Sequence, residues 1–342
     1  MPSCSNRAVI AAAGARKTQG IIDAALSDPG ARVLITTFTN QNLNQIRARI
    51  QARVGVIPPN ITTAGWFSFL LAHGVRPYQS AVFQAAGTVG GLNFVGKRPF
   101  YAKAQTRHYF LDSNTDVYRD GVADLVCKID AASGGRVVRR LEQIYDHIFI
   151  DEVQDLVGYD LDLLDRLFKA RIAVTIVGDP RQFTYSTSNA PKNKKYRGAG
   201  FIDWLNERSD ICVQEHRNES HRCQQEICEF ASVLFPNFPA LTAGHNDATG
   251  HDGIHQVSRF EVLDYYEQHR PQVLRWNKKS NTQGLPAINI GVSKGSTYDR
   301  VLVFPTSPMR EYLEHRDPSK LATPEMLYVA VTRARHSVAF VV

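Results

Sequence analysis

The stretch Asp146-His147-Ile148-Phe149-Ile150-Asp151-Glu152-Val153-Gln154-Asp155 decides how this chain is read. Residues 146–150 can fill a buried strand, and they run directly into two adjacent carboxylates, Asp151 and Glu152. A parallel α/β sheet delivers acid groups to its carboxyl edge in this way. With a phosphate-binding loop elsewhere in the chain, Asp151 is expected to sit on Mg²⁺ and Glu152 to polarise an attacking water, the two tasks that nucleotide hydrolysis asks of protein acids. Taken alone, the stretch is equally a strand end with two solvated acids.

Bulk properties narrow the setting. The chain has 342 residues and 43% apolar content, enough for two compact domains with sizeable cores. No apolar run approaches the roughly 20 residues that cross a bilayer, and residues Met1–Arg7 show no signal-peptide hydrophobic region, so a cytoplasmic location and no membrane partner are expected. Five cysteines, Cys4, Cys127, Cys212, Cys223 and Cys228, are odd in number and form no CxxC pair, which argues against a disulfide framework. His216, His221, Cys223 and Cys228 cluster in sequence, but their spacing fits no ordinary zinc ribbon or finger, and a thiol on a helix is more often core filling. A net charge of +7 and a pI near 9.1 favour a polyanionic partner.

Outward from the acidic strand, Ala8–Ala12 reads as a first strand, followed by Ala13-Gly14-Ala15-Arg16-Lys17-Thr18-Gln19 and an amphipathic helix through Ile21, Ile22, Ala25 and Leu26. Strand, small-residue loop, Lys-Thr and helix is the order of a phosphate-binding loop. In that role Lys17 neutralises the β- and γ-phosphates and Thr18 binds Mg²⁺. Two positions depart from GxxxxGK[ST]: Ala11 and Arg16 stand where the pattern has glycine. Without its neighbours the loop is as much a small-residue turn as a P-loop. The β-branched run Arg32–Thr36 ends in Thr37-Phe38-Thr39-Asn40, and a helix from Gln41 to Val54 follows. An exposed Phe with hydroxyls suits base stacking; a core Phe with a helix N-cap at Thr39 or Asn40 is the plainer reading. Trp66 and its aromatic neighbours read either way.

Between 76 and 140, Lys97, Arg98, Lys103, Arg107 and His108 alternate with Phe94, Phe100, Tyr101, Tyr109 and Phe110, the interleaving of a single-strand surface and equally of an amphipathic subdomain. Residues 188–197 read as a basic surface loop. Leu156–Leu167 reads as a helix and Ile172–Val177 as another buried parallel strand, ending in Gly178-Asp179-Pro180-Arg181-Gln182. A second α/β unit is expected from about Ile211. In it, Ser220–Cys223 opens a helix, strands at 287–292 and 300–304 flank Ser293–Thr297, and a helix at 325–333 delivers Arg333 and Arg335 ahead of a closing strand. Arginine so placed is usually paired structurally, and is also how an arginine finger reaches a nucleotide.

In this order the segments resemble the motor core of superfamily 1 helicases, most closely the UvrD/Rep/PcrA-like group. Residues 13–18 resemble motif I, 36–40 motif Ia, 151–155 motif II and 178–185 motif III. Ser220–Cys223 resembles part of motif IV, 293–299 motif V and 328–335 motif VI. The resemblance implies an α/β fold of two RecA-like parallel-sheet domains with a small inserted subdomain: 1–75 and 141–210 as the ATP-binding domain 1A, 76–140 as the insert, and 211–342 as domain 2A. It implies ATP and Mg²⁺, with Ala13, Gly14, Ala15, Arg16, Lys17, Thr18, Gln19, His221 and Gly295 around the nucleotide and Thr18 and Asp151 on the metal. Lys17, Glu152, Gln182, Arg222 and Arg333 would carry the reaction, and Phe38, Thr39, Asn40, Trp66 and Tyr185 would lie toward single-stranded DNA. ATP would close the cleft between the domains and hydrolysis would reopen it.

Four departures stand out. No Gln precedes the loop as in an adenine-reading Q motif, His221 replaces the expected stacking Tyr, and Thr297 replaces a ribose-binding Glu. Residues 224–286 are too few for a 2B domain, which makes this a minimal form. The leading expectation is an ATP-dependent DNA translocase or helicase. Beside it stand a nucleotide- and DNA-sensing ATPase subunit regulating a partner nuclease, as in phage defence, and a non-hydrolysing clamp motivated by Arg16. Stacking and phosphate contacts do not report the sugar, so RNA remains a candidate partner.

Overall fold

A computed structural model describes residues 6–83, 89–99, 107–245 and 247–342. Cys4, Phe100, Tyr101 and Lys103, discussed above, lie outside the described residues. By compactness the chain divides into one unit of residues 1–10, 17–180 and 186–215, and a second of 11–16, 181–185 and 216–342.

The first unit is built on six strands: β1 (Arg7–Ala11), β2 (Val33–Thr37), β3 (Ile61–Gly65), β4 (His147–Asp151), β5 (Ala173–Gly178) and β6 (Val213–Arg217). They lie in the order β3-β2-β4-β5-β1-β6, and the pairings among the first five are parallel. The strands read as near-continuous apolar runs because both faces are covered, as parallel sheets require. Register aligns the strand ends: Thr37 sits beside Gly65 and Asp151, Asp151 beside Val177, and Ile10 beside Gly178. The carboxyl edge therefore collects Phe38, the Asp151-Glu152 pair and Asp179.

Helix α1 (Lys17–Ser27) follows β1, and α2 (Asn40–Val54) follows β2. Thr39 caps α2 by accepting from the Asn42 N–H at 3.2 Å, and Gly55, at φ 85°, closes it by donating to Gln51 O at 2.8 Å. The helix expected over 156–167 begins instead at Tyr159, as α5 (Tyr159–Phe168), because residues 153–155 form a 3₁₀ turn and Gly158 takes φ 63°. Two helices from the inserted stretch, α3 (Val122–Ala132) and α4 (Arg136–Ile144), share one buried core with this sheet: Val126, Ile129 and Leu141 belong to the same cluster as Ile10, Leu34 and Ile150.

The second half starts later than Ile211. Val213 donates to Asn6 O at 3.0 Å, so the chain runs beside β1 as a sixth strand before it leaves the first sheet. The second unit holds a five-stranded parallel sheet of β7 (Gly253–Val257), β8 (Gln272–Arg275), β9 (Ala287–Asn289), β10 (Tyr298–Phe304) and β11 (Ala334–Val341), in the order β7-β11-β10-β8-β9. Val257, Val273, Leu302 and Ala339 pack one side of it. Helix α6 (Gln225–Val233) and the buried α7 (Pro324–Val331) belong to the unit, as do helices at Val262–His269 and Ser307–His315. No helix among the described residues is long and apolar enough to cross a membrane.

Candidate functional site

At the end of β4 the backbone turns sharply. Glu152 adopts φ 58°, a left-handed conformation costly for a side chain with a Cβ. Its N–H donates to Asp151 Oδ1 at 3.0 Å, and the Thr18 hydroxyl donates to Asp151 Oδ2 at 2.9 Å. Asp151 is 2% exposed. Burial and the neighbouring Glu152 charge push its carboxyl above the usual range, against the opposing pull of the Thr18 hydroxyl, Lys17 and the Glu152 N–H. Thr18 and Asp151 are hard oxygen donors at one point, and Mg²⁺ takes only one or two such groups from a protein before filling its shell with water and phosphate oxygens. The donor set fits that ion.

Sequence reasoning passed over Gln154. Its amide N–H₂ donates to Glu152 Oε2, and its Oε1 accepts from the Asp179 N–H at 3.1 Å. A Cβ on Gly178 would clash with that Oε1, so the glycine ending β5 leaves room for the bridge. The available signal was an amide two residues past the acid, paired with a glycine at the tip of the next strand.

Residues 11–16 group with the second unit. Ala12 donates to Arg217 O at 2.8 Å, Ala13 to the Tyr328 hydroxyl at 3.3 Å, and Gly14 O accepts from the His221 N–H at 3.1 Å. Gly14 takes φ 84°, and a Cβ there would clash with Ser220 Oγ. Arg16 takes φ 53°, which explains why the pattern it departs from has glycine at that position. Ala13 and Ala15 are buried. Tyr328, hidden in the apolar run of α7, was also missed. Gln19 donates from its amide to Asp23 at 2.8 Å along the helix surface, an i,i+4 pair.

The second unit brings Gln182, Arg222 and Arg333 to one place. Arg333, 1% exposed, donates to Val329 O at 3.1 Å, Ser296 O at 3.3 Å and Gln182 Oε1 at 3.1 Å. Arg222 donates to Thr332 O at 2.9 Å. His221 is half-buried, with Nδ1 3.8 Å from Glu219 Oε1, and Gly295 turns the chain at φ 87°. Cys223 and Cys228 are core: Cys223 Sγ contacts Thr332 O at 3.6 Å and Cys228 Sγ contacts Cys223 O at 3.7 Å.

Of the residues expected toward a strand, Trp66 is corrected. It is 1% exposed and its indole N–H donates to Asp160 Oδ1 at 2.7 Å, whereas base stacking needs an open ring face. The Thr39 hydroxyl is committed to its helix cap. Phe38 is half-buried, edge-on to Phe67 at 5.7 Å, while Asn40 is exposed and Tyr185 is 38% exposed. The basic and aromatic interleaving before residue 111 splits in two. Arg98 pairs with Asp124 at 2.9 Å and lies 4.1 Å over the Tyr109 ring, and Phe110 is core; Phe94 is 56% exposed against Phe67. The loop at 188–197 is pinned: Lys192 pairs with Asp162 at 2.7 Å, and Arg197 donates to Ala190 O at 2.8 Å.

Residues 101–194 match the UvrD/REP helicase N-terminal domain family, a span that includes Asp151, Glu152 and Gln182. No curated protein matches the chain by sequence. Among solved structures, the PRRSV helicase aligns with 99% of this chain and 52% of its own at 18% identity, TM-score 0.49. Arterivirus nonstructural protein 10 (helicase) aligns with 99% of this chain and 60% of its own at 15% identity, TM-score 0.52. The same arterivirus helicase in complex with DNA aligns with 99% and 61% at 15% identity, TM-score 0.51. The chain thus spans between half and two thirds of the length of these structures. The likeness to the arterivirus protein is one of fold.

Proposed function

We propose that the chain is a superfamily 1 helicase core and works as an ATP-dependent motor that moves on single-stranded DNA as a translocase or helicase; the match of residues 101–194 to the UvrD/REP helicase N-terminal domain family supports this reading. The observation that carries this reading is the 2.9 Å contact of Thr18 with Asp151 beside Glu152, at the carboxyl edge of a parallel sheet. Lys17 neutralises the β- and γ-phosphates, and Thr18 with Asp151 holds Mg²⁺. The ion would supply positive charge against the triphosphate. Glu152, fixed by its strained backbone and by Gln154, accepts the proton of the attacking water. Gln182, Arg222 and Arg333 respond to the γ-phosphate. Phe38, Asn40 and Tyr185 supply the strand contacts, with Thr39 holding the start of α2 in place. The DNA-bound arterivirus helicase supports a nucleic-acid partner.

The test is MgATP hydrolysis measured with single-stranded DNA, duplex DNA and RNA side by side. Single strands should stimulate turnover, and Lys17→Ala or Glu152→Gln should lower it by about a hundredfold or more while the melting temperature holds. Turnover that ignores added strands, or that survives both substitutions, overturns the proposal.

A further inference from the structure

A groove of about 880 Å³ opens at the amino ends of β8, β9, β10 and β11, where Gln272, Ala287, Tyr298 and Arg335 begin or nearly begin their strands. Among its described lining residues, Arg335 is the one read above from sequence, beside Arg333, as a candidate arginine finger; the proposed motor uses Arg333 and leaves Arg335 to the groove. Three guanidinium groups face it, from Arg270, Arg300 and Arg335, against the single carboxylate of Asp299. Asp299 is engaged by Arg335 at 3.3 Å, and Arg270 pairs with Glu267 on the solvent side. Exposed pairs of this kind are weak and exchange readily for a phosphate. Arg300 differs. Among the described residues no carboxylate pairs with it; one amino group donates to the Thr249 hydroxyl at 3.1 Å, and its buried Nε has no hydrogen-bond partner.

Behind Arg300 stands a column of rings. His251 stacks on His255 at 4.1 Å and on His269 at 3.8 Å, and Tyr265 lies 4.7 Å from His269 and holds His251 Nε2 at 2.8 Å. Burial, the neighbouring His255 and His269 imidazoles and the Arg300 charge hold His251 down at about 4, and burial with the Arg300 charge lowers His269 from its usual range. His269, Tyr266 and Tyr298 bring ring surface to the groove itself. Arginines set among aromatic rings are the grip that single-stranded nucleic acid meets on proteins, with cations on phosphates and rings under bases.

We propose that this groove is a second binding site for single-stranded nucleic acid, in which Arg270, Arg300 and Arg335 hold consecutive phosphodiesters and Tyr266 and Tyr298 receive bases. The proposal takes its nucleic-acid partner from the function proposed above and adds a site that function does not use. Its volume suits a short run of nucleotides and exceeds what one phosphate needs.

The experiment uses the full chain with an oligodeoxynucleotide carrying 5-iodouracil, photocrosslinked and mapped by peptide mass spectrometry, beside fluorescence anisotropy across a salt series. Crosslinks are expected on peptides holding Tyr266 or Tyr298, and they should persist in Phe38→Ala/Asn40→Ala. In Arg270→Gln/Arg300→Gln affinity should fall about tenfold, and the slope of log affinity against log salt should shrink by about 0.7 for each phosphodiester that is no longer neutralised. Arg300→Lys, which keeps the charge, should recover part of the affinity, and unchanged melting of each variant shows that the fold is kept. Absence of crosslinks in the groove, together with unaltered affinity and salt slope in the double variant, overturns the proposal. So does crosslinking that a free mononucleotide abolishes at equal nucleotide concentration, since that marks a small-molecule site. Groove crosslinks without strand-stimulated hydrolysis would sink the motor reading alone, whereas stimulated hydrolysis without groove crosslinks would sink only this one.

Discussion

Two candidate site residues, Arg16 and Glu152, take left-handed backbone. Glu152 at φ 58° is held by the Asp151 carboxylate on its N–H and by Gln154 on its side chain, so the local cost is offset by contacts that also aim the carboxylate. In the hydrolysis proposed above, Gln154 therefore acts as a positioning residue for Glu152. Gln154→Ala should lower kcat by about ten- to a hundredfold while leaving KM for MgATP nearly unchanged, because the phosphate and metal contacts remain. A rise in KM with kcat preserved would show that Gln154 serves binding instead. Arg16 at φ 53° carries the same steric cost in the turn just before α1. Arg16→Gly should melt higher than Arg16→Ala by the equivalent of about 1 kcal/mol, since alanine keeps that cost and glycine sheds it. Equal stability of the two variants would mean that the loop relaxes out of the left-handed region.

At the level of elements, the turn between β4 and α5 is fastened by a buried polar knot. Asp160, 1% exposed, accepts from the Trp66 indole at 2.7 Å, from the Thr187 hydroxyl and from the Val157 N–H at 3.4 Å. Burial pushes its carboxyl up to about 6 even with those donors in place. Trp66→Phe keeps an aromatic ring but strips one donor from a desolvated carboxylate, and should cost about 1–3 kcal/mol in urea unfolding. A cost near zero would show that water or another donor reaches Asp160. Thr39→Ala should cost about 1 kcal/mol through removal of the α2 cap, visible as lower stability with affinity for single strands unchanged. Weaker strand binding at unchanged stability would return Thr39 to the nucleic-acid surface.

For the whole molecule, acid sensitivity follows from groups with opposed shifts. Burial and Arg7 lower His147 to about 4, and His251 is also lowered to about 4. The unfolded chain binds those protons first, so their contribution is complete above about 6.5 and is lost as pH falls toward 4. Asp160, raised to about 6, works in the other direction: its contribution is present below about 4 and is lost as pH rises through 6. His147 stacks on Phe149 at 3.9 Å and bonds the Thr175 hydroxyl at 2.9 Å inside the first sheet. His147→Phe should remove up to about 3 kcal/mol of the stability that disappears between pH 6.5 and 4, read as a flatter profile of melting temperature against pH. A profile parallel to that of the parent chain would mean that His147 is protonated in the folded state.

Patterning along the chain determined the parallel α/β class, the strand that ends at Asp151 just before Glu152, and the helix that starts at Lys17 and Thr18 after β1. Buried parallel strands are short apolar runs, and the candidate site residues stand in the few positions at and just past their ends, so spacing alone marks both. What it left open were choices between core and surface for the same residue type. Trp66 and Phe94 are both aromatic neighbours of Phe67 in the fold or chain, yet one is sealed over Asp160 and the other faces solvent. Only packing across 94 positions of sequence, from Trp66 to Asp160, separates them. The Gln154 bridge, the Arg333–Gln182 contact and the ring column behind Arg300 likewise join residues that no local period links, because side-chain partners are chosen by register and burial after the strands have paired.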